Sequence, residues 1–343
     1  MKRPGNKSQY LIWIFCLGVI MSCEVPFDIP VTQATRQYVI DGGITDNAGP
    51  YTIKITLSGA YTASAEGSNV PVRNATVYIL DSTDEGKQTL LYYDGGGNYM
   101  TPDDFKGIPG HRYVLHVITG TGDELMSYPE RLPPLTPDIE GHYEYIDETA
   151  FNPQGDRVWL TIRDIPGEKD FYRWKYEGVY QFATKLDGYP FTTACWQYEY
   201  YYFDILLASD QYFDGKTFDK NITVIPYFSG SPYLVTVTTE SLTERAYNFW
   251  KLVDDQVNNS AGVFGTPPYH IRGNMYSITD PEEEVLGYFS AFSVKKTFVF
   301  MKRNTQGKVR VPRFYPYNIS CSTLPDTRLV TGDPKDDPEG WQY

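Results

Sequence analysis

The sequence is short of histidine and cysteine, has no cluster of basic residues, and carries no long apolar run after its amino terminus. Each shortage removes a class of function. Four cysteines and four histidines leave little material for a metal centre. No Cys stands in a CxxC pair or near a His, so no zinc site is expected. His111 and His116 are five apart on an expected strand, which turns them to opposite faces. Lys and Arg number 30 against 43 Asp and Glu, a net charge of −13. Without a basic run there is no electrostatic footprint for nucleic acid. No stretch beyond residue 23 approaches the ~18 apolar residues of a membrane-spanning helix. HExxH, GxSxG and a phosphate loop ending in Lys-Ser/Thr are missing too. Acidic runs at Asp280–Glu284 and Asp333–Glu339 lack the alternation and central Gly of an EF-hand loop and read as solvated loops. No catalytic residue, metal or cofactor is therefore assigned, and the chain is not read as an enzyme.

What is present suits an exported β protein. With 41% hydrophobic residues over 343 positions, two domains could each bury a core. Lys2, Arg3 and Lys7 precede an apolar stretch from Leu11 to Met21, the layout of an export signal. The stretch ends Ile20-Met21-Ser22-Cys23, which resembles a bacterial lipobox. A lipoprotein signal peptide is expected over 1–22, lipidation at Cys23, and a tether over 23–36. Several acyl chains on Cys23 would anchor the protein stably to a membrane. Glu24 and Asp28 resemble the acidic tag that sends Bacteroidota lipoproteins to the outer face of the outer membrane, so a cell-surface location is expected. With Cys16 in the signal and Cys23 lipidated, Cys195 and Cys321 remain. In an oxidising compartment they read as one disulfide, with two unpaired buried thiols as the alternative.

Residues 37–127 fall into short alternating runs such as Tyr51-Thr-Ile-Lys-Ile-Thr-Leu57, divided by turn residues such as Gly95-Gly-Gly97. The spacing predicts an antiparallel sandwich, and its motif order resembles the immunoglobulin-like or transthyretin-like module of carboxypeptidase regulatory domains. Residues 128–140 carry four prolines and read as a stiff linker or sheet-edge crossing. Residues 141–343 read as a larger β-rich domain with one helix near 241–258. Ser241-Leu-Thr-Glu244 has the form of a capping box, and Ala246, Phe249, Trp250, Val253 and Val257 follow at helical spacing. Val285–Val294 and Thr297–Met301 predict a buried hairpin, and the acidic, proline-containing tail predicts a solvated end.

Tyrosine is abundant, with 30 residues. On a strand beginning near Cys195, Tyr198, Tyr200 and Tyr202 share one face, while Tyr201 takes the other. A flat apolar ring with a polar tip suits sugars, peptides or a partner protein, so these three form a candidate aromatic platform. The plainer reading is that strands of exported sandwiches use Tyr freely.

Several motifs occur in one order: the lipobox, Tyr38-Val-Ile-Asp-Gly-Gly-Ile-Thr-Asp46, Cys195-Trp196, the helix, Ile271-Arg-Gly-Asn-Met275 and Val285-Leu-Gly-Tyr-Phe289. Together they resemble the Bacteroidota lipoproteins grouped as domain-of-unknown-function family 4249, over nearly all of the mature chain. The chain departs from that pattern in its single late Cys321 and in a tail reading Asp337-Pro-Glu-Gly-Trp341. The resemblance implies an accessory lipoprotein working beside a TonB-dependent outer-membrane receptor in uptake or surface binding. A structural or assembly lipoprotein without a small ligand is the second reading, and a surface hydrolase with paired acids the third.

Overall fold

The computed structural model describes residues 36–59, 69–84, 86–135, 137–149, 154–167, 169–185, 192–201, 204–226, 232–259, 270–303, 321 and 325–342. The segment expected to be a signal peptide, Cys23 and the expected tether up to residue 35 therefore lie outside the described residues, as does Tyr202. The chain divides into two compact units, and every element below belongs to the one formed by Gln37–Ser58 and Asn69–Tyr343. It is mainly β, with one α-helix among the described residues.

The first strands are β1 (Tyr38–Thr45), β2 (Thr52–Leu57), β3 (Val70–Pro71), β4 (Thr76–Asp81), β5 (Gln88–Gly95), β6 (Asn98–Met100), β7 (Arg112–Ile118), β8 (Glu124–Ser127) and β9 (Glu130–Arg131). Alternation drives them. In β2 and β4, Ile53, Ile55, Val77 and Ile79 turn inward and are buried. β5 pairs with β4 through its first half and with β6 through its second, so one strand joins the two halves of the sheet. Ile40, Ile44, Leu115, Val117, Leu125 and their neighbours fill a single core between those halves. Fully burying one such side chain contributes about 1.5–3 kcal/mol. Gly95, Gly96 and Gly97 all have positive φ at the β5–β6 turn, as a tight hairpin requires.

The second set comprises β10 (Asp138–Ile146), β11 (Gly155–Arg163), β12 (Phe171–Lys185), β13 (Thr192–Tyr200), β14 (Leu206–Ser209), β15 (Thr217–Pro226) and β16 (Tyr233–Leu242). Helix α1 (Glu244–Asn259) follows, then β17 (Met275–Ser277), β18 (Leu286–Phe292), β19 (Val294–Met301) and β20 (Thr327–Leu329). A three-stranded sheet, β10-β11-β15, faces a second sheet ordered β19-β16-β12-β13-β20, with β14 on the edge of β12. Val158, Leu160 and Ile162 of β11 meet Trp174, Tyr176, Val235 and Val299 in the core between them.

Three expectations change. The partition at 128–140 does not hold as a one-way boundary, because β17 pairs with β8 and β18 lies parallel to β1. The late part of the chain thus returns two strands to the first sheet. Within the proline-rich stretch, β9 pairs with β7 and Leu132 is buried in the first core, which fits a sheet-edge crossing. Val285–Val294 and Thr297–Met301 do not form a hairpin, since β18 joins β1 and β19 joins β16. The switch falls at buried Ser293, whose amide donates to Ser241 Oγ (3.1 Å), while the next amide, Val294, donates to Asp46 Oδ1 (2.9 Å). Finally, Ser241 does not cap the helix. Its hydroxyl donates to the Pro133 carbonyl at 2.8 Å, which holds it in β16, and Thr243 caps instead by accepting from the Ala246 amide at 3.2 Å.

The motif residues converge on the β1–β18 junction. Gly287 has φ +95°, and a Cβ there would lie 1.8 Å from the Ile40 carbonyl. A Cβ on Gly273 would meet the Gly287 carbonyl at 1.5 Å. Buried Asn274 spans Phe289 with both ends of its amide, each bond 2.8 Å. Nearby, buried Glu130 of β9 accepts from Thr243 and from the Tyr288 hydroxyl. Burial raises its carboxyl above the usual range despite those donors.

Candidate functional site

β12 is the longest strand, and its alternation creates the site. Tyr172, Trp174, Tyr176 and Tyr180 turn into the core, so Arg173, Lys175, Glu177 and Val179 face the other way. Register aligns the neighbours on that outer face. Glu177 stands opposite Tyr200 on β13 and Thr236 on β16, Val179 opposite Tyr198, and Lys175 opposite Thr238. Phe298 and Lys296 of β19 extend the same rows.

Each end of this face is covered. At one end the carboxyl-terminal tail folds across it, and Trp341 sets its ring against Trp196 (4.5 Å) and Phe300 (5.0 Å), both edge-on. Asp333, Asp336 and Glu339 of the tail are exposed, as a solvated end predicts, but Asp337 and Trp341 are half-buried. The Cys195–Cys321 disulfide, with a Cα–Cα distance of 5.7 Å, joins β13 to the segment ahead of β20. At the other end, α1 places the Trp250 ring 4.0 Å from the Arg173 guanidinium.

Between the covers runs a trough with two adjoining cavities of about 580 and 450 Å³, which share Glu177, Thr236 and Lys296. Tyr198 lines the tail-side cavity and Tyr200 the helix-side one. Their rings stack 6.4 Å apart at an interplanar angle of 11°, and Arg328 of β20 lies over Tyr198 at 5.1 Å. Burial raises the Tyr198 hydroxyl above its usual value, with Arg328 opposing. Tyr201 takes the opposite face and stacks on Tyr176 at 4.6 Å. Tyr198 and Tyr200 thus share the outer face of β13, while Tyr201, just past the strand, packs on Tyr176 and also borders the helix-side cavity.

The helix-side cavity holds groups that sequence reasoning missed. Arg173 Nε donates to Glu240, and Lys175 Nζ reaches the other oxygen of the same carboxylate at 2.9 Å. Two cations thus share one anion. Arg173 is 4% exposed, yet its Nη1 has no hydrogen-bond partner among the described residues, nor do the indole nitrogens of Trp174 and Trp250. All three residues border this cavity, Trp174 from the core side of β12, so the donors on the outer face are those of Arg173 and Trp250. A buried donor without a partner costs about 1–3 kcal/mol, more when charged, so folding alone does not favour this arrangement. A lone Arg and two Trp on separate elements have no spacing signature, which is why the sequence hid them.

Other candidates are not brought together. His111, His116 and His270 each pair with a separate carboxylate, Asp81 (2.8 Å), Glu124 (2.7 Å) and Glu284 (3.0 Å). Asp164, Asp170 and Asp210 place carboxylate oxygens within 4.8 Å of one another. Tyr172 donates to Asp164 and Asp170, and the Gly215 amide to Asp164, which ties the start of β12 to the loop before β15. Burial raises the Asp210 carboxyl, and the charges of Asp164 and Asp214 add to that.

The fold and its outer face define a class: a disulfide-clipped, mainly β protein with an aromatic trough closed at both ends and open between them. Among the described residues, no helix is long and apolar enough to cross a membrane. The chain belongs to the family described as Domain of unknown function (DUF4249), whose model matches residues 24–297. The match runs from before β1 into β19 and so includes the whole β1–β18 junction. No curated protein matches the chain.

Proposed function

We propose that the protein is an outer-membrane lipoprotein, anchored through Cys23 and exposed at the cell surface, that binds a sugar or peptide and serves a TonB-dependent receptor in nutrient uptake. The observation that carries the binding role is the trough. It combines two stacked tyrosines, unpaired buried donors, and a half-open shape that a chain-like ligand could enter from the side. Such concave sites with aromatic walls and a few convergent polar groups are the usual form of ligand pockets. The lipobox and the acidic residues after Cys23 support the anchor, and the family resemblance supports the receptor partner. The role is capture and presentation rather than bond cleavage.

The test is a mild-detergent pull-down of the tagged mature lipoprotein from its own membranes, beside a Cys23→Ala control. Co-purification of a TonB-dependent barrel, lost in the control, is the expected result. Recovery of the lipoprotein alone would remove the partner from this reading.

A further inference from the structure

We infer that the helix-side cavity of the trough recognises an acidic sugar residue, a hexuronate, through its carboxylate. The inference rests on the trough being a ligand site and names the chemistry it selects.

Charge is the first argument. The chain as a whole is strongly acidic at −13, yet Arg173, Lys175 and Lys296 all line this one cavity. Glu240 serves both Arg173 and Lys175, and Lys296 is taken by Glu339 at 3.3 Å. Glu177 and Asp204 also line the cavity, so its acids and bases nearly balance, and selectivity for a carboxylate rests on how its donors are placed rather than on a net positive charge. Geometry is the second argument. The Arg173 guanidinium is fixed by its Glu240 bond and by the Trp250 ring at 4.0 Å, and its Nη1 meets no acceptor among the described residues. The Trp250 indole nitrogen is likewise without one. A carboxylate is acceptor-only and can take a bond from each of two donors.

The rest of the wall says what carries that carboxylate. Tyr200, stacked on Tyr198, offers a flat apolar face. Glu177, Asp204 and Thr238 add acceptors and a hydroxyl; Asp204 already accepts from Tyr176 at 2.6 Å. Acidic walls of this kind accept bonds from ligand hydroxyls and repel a second anion. One carboxylate, several hydroxyls and one flat face together describe a hexuronic acid unit. The continuation of the trough past Tyr198 leaves room for neighbouring units of an oligosaccharide.

The test is calorimetric titration of the mature lipoprotein with oligogalacturonate, with alginate oligomers, and with fully methyl-esterified oligogalacturonate. At least one acid form should bind, and oligogalacturonate should bind at least tenfold more tightly than its ester. Trp250→Phe keeps a ring over Arg173 and removes the N–H, and Lys175→Met removes one of the cations lining the cavity. Each variant, checked for a native melting profile, should weaken acid binding several-fold and ester binding by a smaller factor. Equal affinity for acid and ester would overturn the inference while leaving a sugar-binding trough. Binding of a peptide through its free carboxyl terminus, with no sugar bound, would overturn it in favour of a peptide ligand. No binding by any probe would also overturn it, and the receptor partnership would then stand or fall on the pull-down alone.

Discussion

The β1–β18 junction and the outer face of the β12 sheet are built from similar material and finished differently. At the junction the main buried polar side chains are matched, the Ser293 hydroxyl just past β18 excepted. Asn274 satisfies both backbone groups of Phe289, and Glu130 receives two hydroxyls. Every buried side-chain nitrogen or oxygen left without a partner among the described residues belongs to residues 157 through 297, with Arg173, Trp174 and Trp250 grouped at one cavity. Native proteins leave few such groups, and each calls for an explanation. The contrast teaches that the first region is organised to close the fold, whereas the second leaves polar groups unmatched at some cost in stability, which is what the proposed binding role calls for.

Substitutions can break or sharpen that contrast. The largest effect is expected from Gly287→Ala, which sets a Cβ into the Ile40 carbonyl at a positive φ. A loss of more than about 4 kcal/mol, or no folded protein at all, should appear in soluble yield and chemical melts. Removing the disulfide by Cys195→Ser with Cys321→Ser opens a loop of 126 residues and should cost about 4 kcal/mol. Thermal melts with and without reductant would measure it. Asn274→Ala should cost about 3 kcal/mol, because two buried backbone groups lose their partners. An effect below 1 kcal/mol in urea melts would deny the junction its role.

A smaller, pH-dependent effect is expected at Glu130. Its folded carboxyl lies above the ordinary value of 4.5 because burial outweighs its donors. The protonated form is therefore favoured by folding. That contribution is complete below pH 4.5 and is lost as pH rises through the folded value. Glu130→Gln keeps an acceptor and cannot ionise, so the variant should gain stability relative to the wild type as pH rises. Melts of both proteins across pH 4–8 check the sign; wild type gaining on the variant with rising pH would reverse it. The smallest effect belongs to the trough. Trp250→Phe removes an unpaired donor and should change stability by less than about 1 kcal/mol, in contrast to Asn274→Ala.

Alternation along the early runs indicated the first sheet, because inward Ile and Val at period two are the energetics of that region. Helical spacing from Ala246 to Val257 identified α1 to within three residues at its start; the error arose because Ser241 spends its hydroxyl on Pro133 rather than on a cap. Tyr198 and Tyr200 were legible as one face because strand geometry fixes that relation locally. The return of β17 and β18 to the first sheet was not legible. Val285–Val294 reads as a strand whichever partner it has, and the choice between β19 and β1 depends on Gly287 and Gly43 meeting groups about 250 residues away and on Asn274 bracing Phe289. Arg173 and Trp250 were invisible for the same reason, since their meeting is made by the packing of α1 against β12 and not by any local pattern.

The central claim is that the outer face of the β12 sheet binds ligand while the first sheet frames it. Hydrogen–deuterium exchange of the protein, alone and with oligogalacturonate, tests this most directly. The account expects added protection in β12 near Arg173–Glu177, in β13 near Tyr198–Tyr200 and in α1 around Trp250, with β1 through β8 unchanged. Protection confined to the first sheet, or none anywhere at saturating ligand, would contradict it.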